Sequence, residues 1–224
     1  MPDNTPAAET SGTGLTKREF LSTLALGLGL AAVAAGIALF VAKREAAAGA
    51  LSRPDRPRQL VEFNLIERNG HPVTLADLTG KFLVVDFVFT SCSLSCRAVN
   101  DRMQEIQRLV ADVPDVRLVS LTVDPRTDTP SVLTKFANGY HADAHRWLFL
   151  TGEKAELHRL IETSFIPKSP EFEDIIPGGF TSTDRIMLVD PQGNVFASLN
   201  GLSRDATTNV IAEIEKRRKE RGAE

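Results

Sequence analysis

The two cysteines of this 224-residue chain, Cys92 and Cys96, lie four residues apart in the stretch DFVFTSCSLSCRAVN. An apolar, strand-like run precedes them and a helix-like pattern follows, so they mark a strand-to-helix junction. On a helix, residues four apart lie on the same face with their Cα atoms about 6 Å apart, a separation that a disulfide can span. Cys92 is predicted to lie at the helix N-terminus, where exposed backbone N–H groups favour the thiolate and lower the pKa of the thiol. Such a pair can exchange disulfides or bind Cu(I), whereas buried structural cysteines are the inert alternative.

Two aspartates are candidates for handling protons at these thiols. Asp86 lies within the apolar run, six residues before Cys92. Because burying a carboxylate is costly, we expect either proton exchange with the thiols and a raised pKa, or a sheet-end acid satisfied by backbone or water. Asp124 follows the strand-like run VRLVSLTV, and the carboxyl ends of such strands line the sites of α/β sheets. Asp124 is therefore predicted either to face the cysteines or to cap a turn.

Strand-like and helix-like segments alternate along the chain, which predicts an α/β domain. The run FLVVDFVF (residues 82–89) is almost wholly apolar and is typical of a central strand covered on both faces. After the cysteines, helical spacing relates Val99, Met103, Ile106 and Val110. Further elements are predicted as an opening hairpin at RNG, strands at 116–123 and 146–152, helices at 129–140 and 153–165, a hairpin turning at DPQGN, and a closing polar helix. This order, with a cysteine pair after the first central strand, resembles the thioredoxin fold, in which a buried aspartate occupies the position of Asp86.

The N-terminal region contains a long uncharged segment, residues 20–42. Its 23 residues would form a helix of roughly 34 Å, enough to cross a bilayer once, so we predict a single transmembrane anchor. A cleaved export signal is the alternative, because TKREFLS resembles a twin-arginine signal with Lys in place of the first Arg. Both interpretations place the folded part outside the cytosol, on the periplasmic or an equivalent face of the inner membrane, where thiols can oxidise.

The domain organisation predicted from these segments has four parts. Residues 1–19 are expected to be disordered, residues 20–42 form the anchor, residues 43–58 form a proline-ended linker, and residues 59–220 form the thioredoxin-like domain. The formal net charge is −3 with mixed signs, and no basic block interleaves with aromatic residues, so nucleic acid is not an expected partner. Two cysteines exclude a multiple-disulfide framework and a four-cysteine zinc site.

The motifs together resemble the SCO/SenC family, membrane-anchored thioredoxin-fold proteins tied to assembly of the cytochrome c oxidase copper site. The resemblance spans about residues 60–202 and is carried by the CxxxC pair after FLVVDFVFTSC and by TVDPRTDTP, HRWLFLTG and RIMLVDPQGNV. It implies that Cys92 and Cys96 bind copper and also cycle between dithiol and disulfide. It further implies an extracytoplasmic domain and, as partner, the copper-site subunit of the oxidase or another thiol protein.

The sequence departs from the family pattern at the third copper ligand. The family has a histidine nine residues before the proline of the last hairpin turn, which is Pro191 here, and that position is Ser182. A serine hydroxyl is a poor ligand for Cu(I). The loop CSLSCR also lacks the prolines usual beside the cysteines. Copper binding is thereby put in question, so a copper-independent thiol–disulfide oxidoreductase or a redox sensor is the alternative function.

None of the four histidines is an evident replacement ligand. His71, His141, His145 and His158 are predicted to be surface residues. Met103 and Trp147 are predicted to be core residues rather than ligands. A non-catalytic binding module would not need two cysteines at a strand-to-helix junction.

Overall fold

The computed structural model describes residues 35–37, 58–91, 95–165 and 184–222. Of Cys96 it describes the backbone only, and both Cys92 and Ser182 lie outside the described residues. Of the predicted anchor, residues 20–42, the described part is residues 35–37, which are helical and exposed. Among the described residues, no helix combines the length and apolarity that crossing a membrane requires.

Within residues 58–222 the described segments form one mixed sheet of eight strands, in the order β1-β8-β7-β4-β5-β6-β2-β3. The strands are β1 (Arg58–Gln59), β2 (Asn64–Glu67), β3 (Pro72–Thr74), β4 (Phe82–Val88), β5 (Val116–Thr122), β6 (Trp147–Thr151), β7 (Arg185–Val189) and β8 (Asn194–Asn200). The helices are α1 (Leu75–Leu78), α2 (Ser95–Leu109), α3 (Pro130–Gly139), α4 (Lys154–Ser164) and α5 (Ala206–Gly222). The alternation of strands and helices predicted from the sequence is confirmed.

Strand β4 is the central element of the sheet. All seven of its residues are buried, as the nearly continuous apolar run predicts. It pairs in parallel with β5 and antiparallel with β7, and this register sets Asp86 opposite Ser120. Parallel pairing of β4 and β5 requires a crossover connection, which α2 supplies.

Alternate residues of β4 enter two separate hydrophobic cores. Val84 and Val88 lie in the core that α2, α3 and α5 cover, together with buried Met103 and Trp147. The opposite core contains Phe87 and is covered mainly by α4. Burying one large apolar side chain stabilises a fold by about 1.5–3 kcal/mol, so this two-sided burial holds β4 firmly in place.

The last hairpin turns as its sequence predicts. Oδ1 of Asp190 accepts hydrogen bonds from the backbone N–H groups of Gln192 at 3.0 Å and Asn194 at 2.9 Å. Gly193 adopts a φ of +83°, a conformation that favours glycine. Asp190 therefore has a structural role in the turn, which joins β7 to β8.

Candidate thiol site and its buried carboxylates

The cysteine motif lies between the central strand and the first long helix. β4 ends at Val88, and α2 begins at Ser95, which makes Cys96 the second residue of that helix. Cys92 belongs to the connection that leads from the strand to the helix. The predicted helix N-terminal position of Cys92 and the meeting of the two sulfurs remain predictions.

Asp86 is the fully buried carboxylate of the central strand. Its Oδ1 accepts a hydrogen bond of 2.5 Å from Oγ of Ser120 on β5. Ser120 Oγ in turn accepts a hydrogen bond of 2.8 Å from Nε1 of Trp147 on β6. Among the described residues, no hydrogen-bond donor reaches Oδ2 of Asp86. A buried series of hydrogen bonds thus connects three neighbouring strands. It ends at Asp86, whose Oδ2 has no hydrogen-bond partner among the described residues.

The surroundings of Asp86 favour its protonated form. Burial raises the pKa of Asp86 to about 7, while the hydrogen bonds from Ser120 and from its own backbone N–H act in the opposite direction. Asp86 therefore changes its protonation state near neutral pH. It is the fifth of seven strand residues and not a sheet-end residue. Proton exchange between Asp86 and the thiols remains a prediction.

Asp128 is a second buried carboxylate, and the sequence does not single it out. Its Oδ2 accepts hydrogen bonds from the Thr90 backbone N–H at 3.3 Å and from Thr122 Oγ1 at 2.6 Å. Its Oδ1 accepts a hydrogen bond of 2.5 Å from Thr90 Oγ1. Thr90 lies two residues before Cys92, so Asp128 ties the start of the cysteine loop to the end of β5. In the sequence, Asp128 resembles a polar turn residue before Pro130, and only its burial distinguishes it.

Asp124, the other predicted proton handler, lies in the turn after β5. Its backbone N–H donates a 3.0 Å hydrogen bond to Thr122 Oγ1, and its carbonyl accepts one of 2.9 Å from the Asp128 N–H. These bonds support the turn role, although they involve the backbone and not the carboxylate. Its orientation toward the cysteines remains a prediction.

The histidines and the core residues lie as the sequence predicts. His71, His141 and His145 are exposed, and His158 is half-buried. Met103 and Trp147 are fully buried. Within the described ranges, no group of three His, Cys, Asp or Glu residues could hold a metal ion. Thiols are soft ligands suited to Cu(I), and binding of copper by Cys92 and Cys96 remains a prediction. The replacement of the third ligand at Ser182 remains a prediction.

The fold and the position of the cysteine motif define a class of proteins. A mixed sheet with a parallel central pair, helices on both faces and a cysteine in the first turn of the helix after the central strand is a thioredoxin-like arrangement. The family model of SCO1/SenC matches residues 52–218. The chain belongs to the SCO1/SenC family.

Individual relatives agree with this assignment. The SCO1 protein homolog of Bacillus subtilis is 33% identical over 156 residues, which cover 68% of this chain and 79% of the relative. A putative copper-binding protein of Stutzerimonas stutzeri is 27% identical over 165 residues, or 71% of this chain and 78% of the relative.

A solved structure of BsSco, described as a member of the Sco family of cytochrome c oxidase assembly proteins with a disulfide switch, matches with a TM-score of 0.60. Its identity is 30%, and the match covers 74% of this chain and 96% of BsSco. Copper-bound yeast Sco1 matches with a TM-score of 0.57 at 21% identity, over 73% of this chain and 94% of Sco1, and supports the fold.

Proposed function

We propose that this chain is a membrane-anchored protein that assists maturation of the cytochrome c oxidase copper site. It acts through Cys92 and Cys96, by binding Cu(I), by thiol–disulfide exchange, or by both. The observation that carries this proposal is the SCO1/SenC match over residues 52–218, which includes a CxxxC motif placed between β4 and α2. Relatives described as a putative copper-binding protein and as a cytochrome c oxidase assembly protein support both chemistries.

In the copper branch of the proposal, the metal is cargo and the two thiolates are its ligands. Both thiols lose their protons on binding, because the thiolate is the form that binds a metal. Ser182 contributes no soft donor, so we expect the affinity of the two-sulfur site to depend on whether another part of the chain or a partner supplies a third ligand.

In the redox branch, two electrons pass from the dithiol to a partner disulfide. The Cys92 thiolate attacks one partner sulfur, forming a mixed disulfide and releasing the other sulfur as a thiolate. Cys96 loses its proton and attacks Cys92, which closes the Cys92–Cys96 disulfide and frees the partner's second thiolate. An external dithiol must then reduce the pair before another cycle.

Asp86 is the proposed acceptor of the proton from Cys96. Its pKa of about 7 lies between those of a free carboxyl and a free thiol, so it can both take and return a proton near neutral pH. It lies on the strand that leads into the cysteine loop, and its Oδ2 has no hydrogen-bond partner among the described residues. We assign Asp124 no more than a secondary part in proton transfer.

The second candidate function is a copper-independent thiol–disulfide oxidoreductase or redox sensor of the same compartment. The serine at position 182 favours it, because it removes the expected third copper ligand. In both cases we propose residues 20–42 as the anchor, residues 43–58 as the linker and residues 59–220 as a domain facing the periplasm or an equivalent space. The proposed partner is the oxidase copper-site subunit or another thiol protein.

A Cu(I) titration of the reduced full chain against a competing chelator tests the proposal and separates its branches. Ser182→His is titrated in parallel, and Cys92→Ser and Cys96→Ser serve as controls. Tight binding of one Cu(I), lost in both cysteine variants, supports copper handling. Weak binding that Ser182→His restores, together with disulfide reductase activity, supports the exchanger. No copper complex and no reductase activity would overturn the proposal.

A further inference from the structure

A cavity of about 480 Å³ lies between the first turns of α2 and the last turns of α3. Its wall includes Phe89 and Thr90, which directly follow β4. Thr90 precedes Cys92 by two positions. Its volume falls within the range of about 300–1,000 Å³ that is typical of ligand pockets. It therefore adjoins the segment that enters the proposed thiol site.

The floor of the cavity is aromatic and is held from beneath by the core. Phe136 and Tyr140 line it, with ring centroids 5.1 Å apart. Two core rings pack against them. The ring centroids of Phe149 and Phe136 are 6.1 Å apart, and those of Trp147 and Tyr140 are 6.3 Å apart. Because these rings pack against a buried aromatic cluster, the floor presents a preformed apolar surface.

The Tyr140 hydroxyl is the polar feature of this floor. Its pKa is raised, chiefly by burial and then by Asp101, while Arg97 acts in the opposite direction. The phenol therefore stays protonated at neutral pH and can donate a hydrogen bond. Hydrogen bonds found for Tyr140 within the described residues involve its backbone, which leaves the hydroxyl available to a ligand.

The rim of the cavity has two cations from different helices. Arg97 lies in the first turn of α2 and Lys135 lies on α3, and both are exposed. Neither has an ion-pair partner among the described residues, whereas Arg102 and Arg159 pair with glutamates on their own helices. The rim also contains one acid, Asp101, so its net charge is positive.

We infer that this cavity is the docking groove for an extended acidic peptide segment that borders the cysteines of the partner protein. The two cations complement carboxylates, the aromatic floor accepts an apolar side chain, and the Tyr140 hydroxyl hydrogen-bonds the peptide. A segment held there would enter beside Thr90 and thus next to the cysteine loop. This inference rests on the proposed function, because it assumes that a partner presents its sulfur atoms at this loop.

The test uses the full chain and short synthetic peptides that carry two serines in place of cysteines, flanked by Asp and Glu, by Gln, or by Lys. Because these peptides cannot exchange disulfides, their binding reports on the groove alone. We expect the acidic peptide to bind most tightly and its affinity to fall as the salt concentration rises. Equal affinity for all three peptides would overturn the inference.

Lys135→Glu is the informative variant, because Lys135 is exposed and lies on a helix that contains neither cysteine. We expect it to weaken binding of the acidic peptide by about threefold to tenfold and to improve binding of the lysine peptide. Lys154→Glu, an equal charge change at an exposed position on α4 across the sheet, is the matched control and should leave both affinities unchanged. Equal effects of the two substitutions would mean a general charge effect and would overturn the inference.

The same peptides with their cysteines restored as a disulfide distinguish failure of the groove from failure of the proposed function. Charge-selective binding without any disulfide exchange would remove the redox branch and leave the groove in place. Exchange at equal rates with acidic, neutral and basic peptides would remove the groove and leave the redox branch in place.

Discussion

Ser120 Oγ donates a 2.5 Å hydrogen bond to Oδ1 of Asp86, the residue directly opposite it in the parallel β4–β5 pair. The two residues are separated by 34 positions in the chain, and both side chains are fully buried. The bond satisfies one carboxylate oxygen while the other has no hydrogen-bond partner among the described residues. A carboxyl group in this environment favours its protonated form, because the charged form would be buried without enough hydrogen bonds to replace its hydration.

We therefore predict that the free energy of unfolding falls as the pH rises from about 4 to about 7. The folded pKa of Asp86, about 7, exceeds its ordinary value of 3.8, so the folded state binds more protons than the unfolded state throughout this window. Each unit of difference corresponds to about 1.4 kcal/mol. Urea unfolding of the reduced protein at pH 5 and pH 8 measures the change.

Asp86→Asn should flatten this pH dependence, because the amide does not titrate. Asp112→Asn, a change at an exposed acid, is the matched control and should retain the wild-type slope. The carboxyls whose pKa values are lowered, Asp77, Glu105, Glu156 and Asp190, stabilise the fold above their ordinary pKa values of 3.8 to 4.5 and lose that effect as the pH falls, which is the opposite sign to the effect of Asp86. A wild-type slope in Asp86→Asn would contradict the assignment of the effect to this residue.

Ser120→Ala should destabilise the protein by about 1–3 kcal/mol. It removes the donor to Asp86 and the acceptor of the Trp147 indole N–H, which leaves buried polar atoms unsatisfied. It should also raise the pKa of Asp86 further, because the serine hydrogen bond lowers that pKa. The single tryptophan makes fluorescence a direct probe, and Ser131→Ala at an exposed position should change stability by no more than about 0.5 kcal/mol.

Asp128→Ala should make the Cys92–Cys96 disulfide easier to reduce. The substitution removes the acceptor of the Thr90 hydrogen bonds, so the start of the cysteine loop becomes more mobile. We expect the two sulfur atoms then to spend less time within bonding distance of each other. We expect roughly a tenfold smaller equilibrium constant for disulfide formation, because proximity determines that constant. Titration with a dithiol buffer, at a temperature where circular dichroism shows both proteins folded, measures it.

Asp124→Ala is the matched control for this experiment, since Asp124 lies in the same turn and bonds through its backbone. Asp128→Asn retains one acceptor oxygen and should fall between Asp128→Ala and the wild type. If Asp128→Ala and Asp124→Ala shift the equilibrium equally, Asp128 has no special part in positioning the loop.

Two consecutive arginines on α5 should contribute unequally to stability. Arg217 Nη2 lies 2.8 Å from Oδ2 of Asp190, whose side chain is 1% exposed, and Arg218 Nη2 lies 2.8 Å from Oδ1 of Asp115, whose side chain is 43% exposed. Both guanidinium groups also lie over phenylalanine rings, at 5.7 Å and 5.6 Å from the centroids. We expect Arg217→Ala to cost about 2–4 kcal/mol and Arg218→Ala at most about 1 kcal/mol.

The effect of Arg217→Ala should also depend on pH. Burial alone would raise the pKa of Asp190, but hydrogen bonds from Arg217, Asn194 and Gln192 hold it below its usual value. Stabilisation by this carboxylate is thus present above about pH 4 and is lost as the pH falls through the lowered pKa. Acid titration of both variants measures it, and a difference between them that persists after Asp190 is protonated would contradict this explanation.

Much of the fold could be predicted from the chain alone, because hydrophobic periodicity is a local property. The apolar run at 82–89 predicts a central strand, and β4 is buried along its whole length. The helix indicated by the spacing of Val99, Met103 and Ile106 is present as Ser95–Leu109, and the DPQGN hairpin joins β7 to β8. The antiparallel pairing of β1 with β8 was not predicted, since a two-residue strand has no periodicity to recognise.

The candidate site divides in the same way. From the sequence alone it follows that two thiols lie near a strand-to-helix junction and that an acid lies six residues before Cys92. The family resemblance adds the prediction that Ser182 occupies the position of a copper ligand. The hydrogen bonds from Trp147 to Ser120 and from Ser120 to Asp86, and those between Thr90 and Asp128, become visible in the folded chain alone. Hydrogen-bond partners across a sheet depend on strand order and register, and these arise from the packing of the whole domain and not from any local pattern.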